Sequence, residues 1–279
     1  MKEKNINLEY TEETQVIDAQ IVQPHVLELQ ERAQTDIQIN TAKKWPRDIS
    51  QVKKQMLSFA TLDIDTAAGC FYSLPRKDKT IQGPSVRLAE IAMSSFGNLK
   101  AASRIIDNDG KTITAQAVCH DLQNNVCVSI ETKRKITDKY GKTYNEDMQV
   151  VTGNAACAIA LRNAVFKIVP MALIKPVYEA AKLVAIGDAK TLKSRVEMAL
   201  DRLNKMGISQ EQVLDYLQKT GVDAIDIADL ENLFGVTTAI KDGTCKIEEV
   251  FVVKPKVSKP IYDDKGSFIT PDPKDEEKK

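Results

Sequence analysis

The sequence is poor in the residues on which most enzyme chemistry is built. Two histidines in 279 residues, His25 and His120, leave little room for a catalytic or metal-bound imidazole. The five cysteines, Cys70, Cys119, Cys127, Cys157 and Cys245, show no CxxC spacing, and no HxxxH pair accompanies them. An odd number of scattered cysteines predicts free thiols, with neither a structural zinc site nor a disulfide framework. Aromatic residues make up only 5% of the chain, which poorly supplies any surface built on stacked rings. No run approaches the roughly 18 consecutive apolar residues of a membrane span. The first thirteen residues, MKEKNINLEYTEE, lack the apolar core of a signal peptide. P-loop, dinucleotide-fingerprint, serine-elbow, HExxH and zinc-deaminase patterns are all missing. These absences predict a cytosolic protein of one or two domains, with no cofactor, no metal and no catalytic residue.

What is there begins with charge. Lys plus Arg and Asp plus Glu both number 39, a net charge of zero that disfavours a nucleic-acid partner when the chain is taken whole. The sign is unevenly distributed. Residues 1–42 carry 3 basic and 8 acidic side chains, residues 43–182 carry 21 and 13, and residues 183–279 carry 15 and 18. A centre of +8 between ends of −5 and −3 points to a polyanionic partner for the centre.

Four regions follow from the pattern. Residues 1–42 are polar, without an apolar period, and read as a mostly disordered acidic leader. Residues 43–187 read as an α+β core. Asp48 caps a helix, a short strand follows Gly69, and a basic turn of Arg76, Lys77 and Lys79 precedes a return strand near Thr80. A helix runs from Pro84 to a stop at Gly97. Three β-like runs then flank Asn108-Asp109-Gly110-Lys111 and Asn124-Asn125, an antiparallel meander. A polar loop over 137–148 leads to an apolar helix over 152–169 and a second helix over 173–185. Residues 188–243 read as a three-helix module, with a capping box at Ser209, and residues 244–279 as a flexible tail.

Catalysis has few candidates. A metal-dependent nuclease needs clustered carboxylates, and only Asp63/Asp65 and Glu146/Asp147 stand in the core; a turn cap at Asp65 and a solvated loop at Glu146/Asp147 account for them better than catalysis does. The basic residues form local groups instead: Lys43/Lys44/Arg47, Lys53/Lys54, Arg76/Lys77/Lys79, Lys133/Arg134/Lys135 and Arg162/Lys167. Each alone is ordinary solvated surface. Together, on one β-β-β-α unit, they suggest a shared face that binds phosphates without reading sequence, and so is salt-sensitive. Arg162 and Lys167 interrupt an apolar helix, which either a phosphate contact or a snorkelling stem explains.

Particular residues carry a resemblance. Gly83-Pro84-Ser85-Val86-Arg87-Leu88-Ala89-Glu90, Ser95-Phe96-Gly97-Asn98, the meander, Glu146-Asp147-Met148, Thr152-Gly153-Asn154-Ala155-Ala156 and Arg162-Asn163-Ala164 look like phage and prophage proteins. The order helix, meander, long helix over residues 45–182 resembles the core of the phage single-strand annealing proteins, the RecT- and Redβ-like annealases. The resemblance implies an α+β fold, with an antiparallel β-meander packed on a long helix and then a small helical module. It implies ATP-independent binding and annealing of single-stranded DNA in phage-type recombination and repair, by a homo-oligomeric ring or filament in the bacterial cytoplasm. Arg162, Lys167, Lys133, Arg134, Lys135, Arg76 and Lys77 would then bind nucleic acid. Residues 188–243 would meet a phage exonuclease or the host single-strand binding protein. The alternative is a phage scaffold protein whose core self-assembles and whose helical module recruits a partner, without nucleic acid.

Overall fold

The computed structural model describes residues 24–76, 79–251, 261–262 and 268–269. The chain divides into two compact units, Met1–Pro46 and Arg47–Lys279. In the first, Pro24–Lys44 forms helix α1, where composition predicts a mostly disordered leader. Its Leu, Glu, Gln, Ala and Arg residues are good helix formers even without an apolar period, and Lys43 and Lys44 in the last turn complement the helix dipole.

The second unit opens with α2 (Ile49–Ala60), capped by Asp48, whose carboxylate accepts from the N–H groups of Ser50 and Gln51. Asp63 caps α3 (Ile64–Gly69) in the same way. β1 (Phe71–Arg76) and β2 (Lys79–Pro84) then pair as an antiparallel hairpin. Helix α4 (Val86–Phe96) starts after Ser85, not at Pro84, which ends β2. The Ser85 hydroxyl accepts from the Leu88 N–H and donates to the Gly69 carbonyl, a role proline cannot fill. Gly97 closes α4 at φ 65°.

β3 (Leu99–Asn108), β4 (Thr112–Asp121) and β5 (Val126–Lys135) form the expected antiparallel meander in that order. Both turns use left-handed residues, Gly110 at φ 79° and Asn125 at φ 55°. The long helix α5 (Glu146–Ile168) covers one face of this sheet. It begins six residues before the apolar run, because Asn145 caps it and Glu146 and Asp147 fill its first turn. Small residues seat it: a side chain at Gly153 would point at Ile105 and Ile113.

Helices α6 (Met171–Ile186), α7 (Leu192–Lys205), α8 (Gln210–Leu217), α9 (Ile227–Lys241) and α10 (Ile247–Val250) complete the unit. Two-residue strands β6 (Ile261–Tyr262) and β7 (Phe268–Ile269) pair with each other. The fold is thus α+β, with small antiparallel sheets packed against helices.

The helices of 188–243 do not stand apart. Helix α9 lies on β1 at very close range: a Cβ at Gly235 would sit 2.5 Å from the Ser73 Cβ and 2.7 Å from its backbone nitrogen. The Ser73 hydroxyl donates to Asn232 Oδ1 at 2.6 Å, and the Thr238 hydroxyl donates to the Ala68 carbonyl at 3.0 Å. Leu74 of β1 joins Leu203, Ile208, Val213, Leu233 and Phe251 in one buried cluster. The cluster takes in the first residues of the expected tail, because Val250 and Phe251 are buried in it.

Candidate nucleic-acid interface

Successive side chains of a strand alternate between faces, so the meander sorts the basic residues by parity. Ile113, Ala115, Ala117 and Cys119 of β4 point toward α5 and are buried. The cross-strand register is Lys100–His120–Cys127, Ala102–Val118–Ser129 and Arg104–Gln116–Glu131, with Thr114 opposite Lys133 and Thr112 opposite Lys135. These residues lie on the other face, where Lys100, Arg104, Lys133 and Lys135 are exposed. Glu131 and Asp107 temper the charge of that face. Lys133 reaches Asp109 Oδ2 at 3.4 Å. Hydrogen bonds from the Thr112 hydroxyl and from the Lys111 and Thr112 N–H groups hold the Asp109 carboxyl well below the usual range.

Of the candidates chosen from sequence, Lys133 and Lys135 share this open face, while Arg134 turns the other way. It sits opposite the buried Ile113 and donates to the Thr244 carbonyl at 3.3 Å, tying β5 to the α9–α10 loop. Arg162 is half-buried, its guanidinium 5.0 Å from the Tyr72 ring centre and bonded to its neighbour Asn163 Oδ1. Tyr72 in turn leans on Gly83, where a Cβ would come within 3.3 Å of the ring. The glycine of the Gly83–Glu90 motif thus makes room for the ring that Arg162 covers. Lys167 is exposed near the end of α5. Fourteen residues separate it from Gly153, which packs beside Ile113 at the Lys133–Lys135 end; at 1.5 Å per residue that is about 21 Å. Arg76 ends β1 opposite Lys79, and Lys77 lies outside the described residues. Lys100 and Arg104 are the additions that the sequence reading missed. The Asp109-Gly110 turn fixes the register, and counting by twos from it would have found them.

Arg47 leaves the basic surface altogether. Its guanidinium and the Asp121 carboxylate form a fork of 2.6 and 2.7 Å bonds, both side chains 5% exposed. The Phe96 ring lies 3.8 Å away. Burial pushes the Asp121 carboxyl up, but hydrogen bonds from Arg47 and Asn124 and the Arg47 charge outweigh it, so the net shift is down.

The carboxylates considered for a nuclease stand apart in their local roles. Asp63 caps α3, Asp65 pairs with Arg202, and Glu146 and Asp147 open α5. Among the described residues no three His, Cys, Asp or Glu side chains converge as a metal site.

A cleft of about 1050 Å³ lies among α3, α4, α7 and α9. Helix α4 lines it with Arg87, Glu90, Ile91 and Ser94, and α7 with Met198, Asp201, Arg202 and Lys205. Phe234, Thr237, Thr238 and Lys241 of α9 repeat the same i, i+3, i+4, i+7 spacing. Its charges are mostly internal pairs: Arg87 with Glu90 at 2.8 Å and Asp242 at 4.0 Å, Arg202 with Asp65, and Lys205 with Asp201 at 2.6 Å. Burial raises the Asp242 carboxyl, against the pull of the Arg87 charge and the Val86 N–H.

Comparison of the chain with protein-family models, with curated proteins and with solved structures finds no match.

Proposed function

We propose that the protein binds single-stranded DNA through its phosphates and promotes annealing without ATP, as a homo-oligomer in phage-type recombination. The observation that carries this reading is the uncovered face of the β3–β4–β5 sheet, with Lys100, Arg104, Lys133 and Lys135 exposed on it. A strand held by its backbone keeps its base edges free for pairing. Base pairing then supplies the free energy, while the cations screen phosphate repulsion and raise the local concentration of complementary strands. The scarcity of exposed rings favours phosphate contacts over base stacking. Repeating a modest site along an oligomer multiplies weak contacts into tight binding. In this reading Arg134 and Arg162 position the sheet and the long helix and do not touch phosphate. Residues 188–243, through their outer faces, recruit an exonuclease or a single-strand binding protein.

The test is oligonucleotide affinity as a function of salt. Engagement of about four phosphates gives a slope of log K against log salt near −3, at roughly −0.7 per contact on single strands. Charge reversal of Lys133 and Lys135 together flattens that slope by about 1.4 on the same scale and abolishes annealing, with the far-UV spectrum unchanged. Absence of binding at low salt, or a slope near zero, overturns the reading in favour of a scaffold that does not bind nucleic acid.

A further inference from the structure

Tyr140 is 82% exposed, more than any other large hydrophobic side chain among the described residues. The loop that carries it is firmly built. Thr137 and Thr143 pair as an antiparallel bridge. Between them the Asp138 carboxylate accepts from the N–H groups of Tyr140 and Lys142, and the Asp138 N–H donates to the Lys142 carbonyl at 2.9 Å. Gly141 turns the chain at φ 83°. The Thr143 hydroxyl donates to the Gly110 carbonyl at 2.8 Å, which seats this hairpin beside the β3–β4 turn. A fixed turn that holds a ring in water forgoes the free energy of burying it. It also pre-organises the ring for a ligand, since little conformational freedom is left to lose on binding.

The surroundings of the ring define the chemistry of that ligand. Lys139 stands over the ring, its Nζ 5.0 Å from the ring centre. Lys142 closes the same loop and Lys111 the adjoining turn, where its carbonyl accepts from the Ile136 N–H at 2.9 Å. Lys133 and Lys135 end β5 just before Thr137. All five lysines are exposed. The two acids within these turns, Asp109 and Asp138, spend their carboxylate oxygens on neighbouring N–H and O–H groups. A lipid headgroup would use the lysines and leave the ring idle, and a neutral apolar partner would use the ring and strand the lysines. A nucleotide joins a phosphate to a planar base, and so answers both features at once.

We infer that Tyr140 stacks on one base of a bound single strand, against the ring face that Lys139 leaves open, while Lys139 and Lys135 take the phosphates on either side of that base. Stacking uses the face of the base and leaves its pairing edge free, so it orients the base without hiding it from a complementary strand. In a duplex the faces of the bases are occupied by their neighbours, so Tyr140 favours single strands at this end of the sheet. The inference rests on the single-strand reading above and deepens it, because phosphate contacts alone give an affinity that is indifferent to the bases.

The test compares the affinity of the full chain for a short oligothymidine with that for an abasic deoxyribose-phosphate chain of the same length, each at several salt concentrations. Tyr140→Ala lowers oligothymidine affinity about 5- to 100-fold, the effect of one stacked base, and Tyr140→Phe, which keeps the ring, stays within about twofold of wild type. Neither variant changes the slope of log K against log salt, since no phosphate contact is lost. The abasic chain binds wild type and Tyr140→Ala alike. Because Trp45 is the one tryptophan of the chain, Trp45→Phe/Tyr140→Trp places a single indole at the tip of the loop; oligothymidine quenches its emission and the abasic chain does not. A Tyr140→Ala chain that binds oligothymidine as wild type does, one that loses the abasic chain to the same extent, or an indole that ignores oligothymidine overturns the inference and leaves the DNA reading in place. A wild-type chain that binds neither probe at low salt overturns both.

Discussion

Arg47 counts toward the basic centre in any sum over the sequence, yet its charge is spent on a buried partner. Together with Asp121 it joins the start of α2, the end of α4 through the Gly97 carbonyl, and the end of β4. Removing one member leaves the other charged and unpaired, which costs about 3–5 kcal/mol. Arg47→Ala should therefore lower the denaturation midpoint sharply, as urea melts can measure. Asp121 also sets a pH dependence. Its folded pKa is depressed, so its contribution is present above the unfolded value near 3.9 and is lost as pH falls through the folded one. Asp242 has the opposite sign. Burial raises its pKa, so full stability holds below the unfolded value and declines as pH rises through the folded one and charge is forced into the site. Asp242→Asn keeps an acceptor for the Val86 N–H and does not ionise. Its melting temperature should match wild type near pH 3 and exceed it at pH 7; a variant less stable at pH 7 would refute this.

At the scale of elements, α9 on β1 is the contact that closeness defines. A glycine inside a helix costs about 1 kcal/mol against alanine, so Gly235 in the sequence looks like a defect. The structure gives the reason, since any side chain there would collide with the Ser73 backbone. Gly235→Ala should destabilise by about 1–3 kcal/mol despite its better propensity, whereas Gly153→Ala, with 3.5 Å to its nearest neighbour, should be tolerated; thermal melts of the two compare them directly. The meander was legible from Asp109-Gly110 and Asn124-Asn125, because turn chemistry and alternation are local. The start of α5 was not, since the polar run 137–148 hides a cap at Asn145 whose effect depends on the helix that follows. The grouping of Lys133, Arg134 and Lys135 also failed to survive as one patch, for a pleated strand sends its middle member to the other face.

For the whole molecule, the sharing of one buried cluster by β1, α7, α9 and Phe251 sets how much of the chain folds together. Residues 188–243 expressed alone should remain largely unfolded, because Leu74 and Phe251 belong to their core and are left behind. Residues 47–251 should melt in a single transition. Circular dichroism and limited proteolysis of the two fragments check both outcomes. The neutral total charge also takes its meaning only here. Several cations of the basic centre are paired or turned inward, as Arg47 and Arg134 are, while Lys100, Arg104, Lys133 and Lys135 lie exposed on one sheet face.

The sequence by itself determined the class of fold, the meander and its turns, the helix caps at Asp48, Ser209 and Gly97, and the segregation of positive charge into the centre. These depend on neighbours a few residues apart, through φ preferences, capping and hydrophobic period. Only the tertiary structure decided which basic residues share a surface, that Arg47 is buried with a partner 74 positions away, and that the C-terminal helices belong to the same core as the first hairpin. Those outcomes depend on strand parity, on the faces helices turn toward one another, and on the free-energy cost of burying charge, none of which is local in the chain.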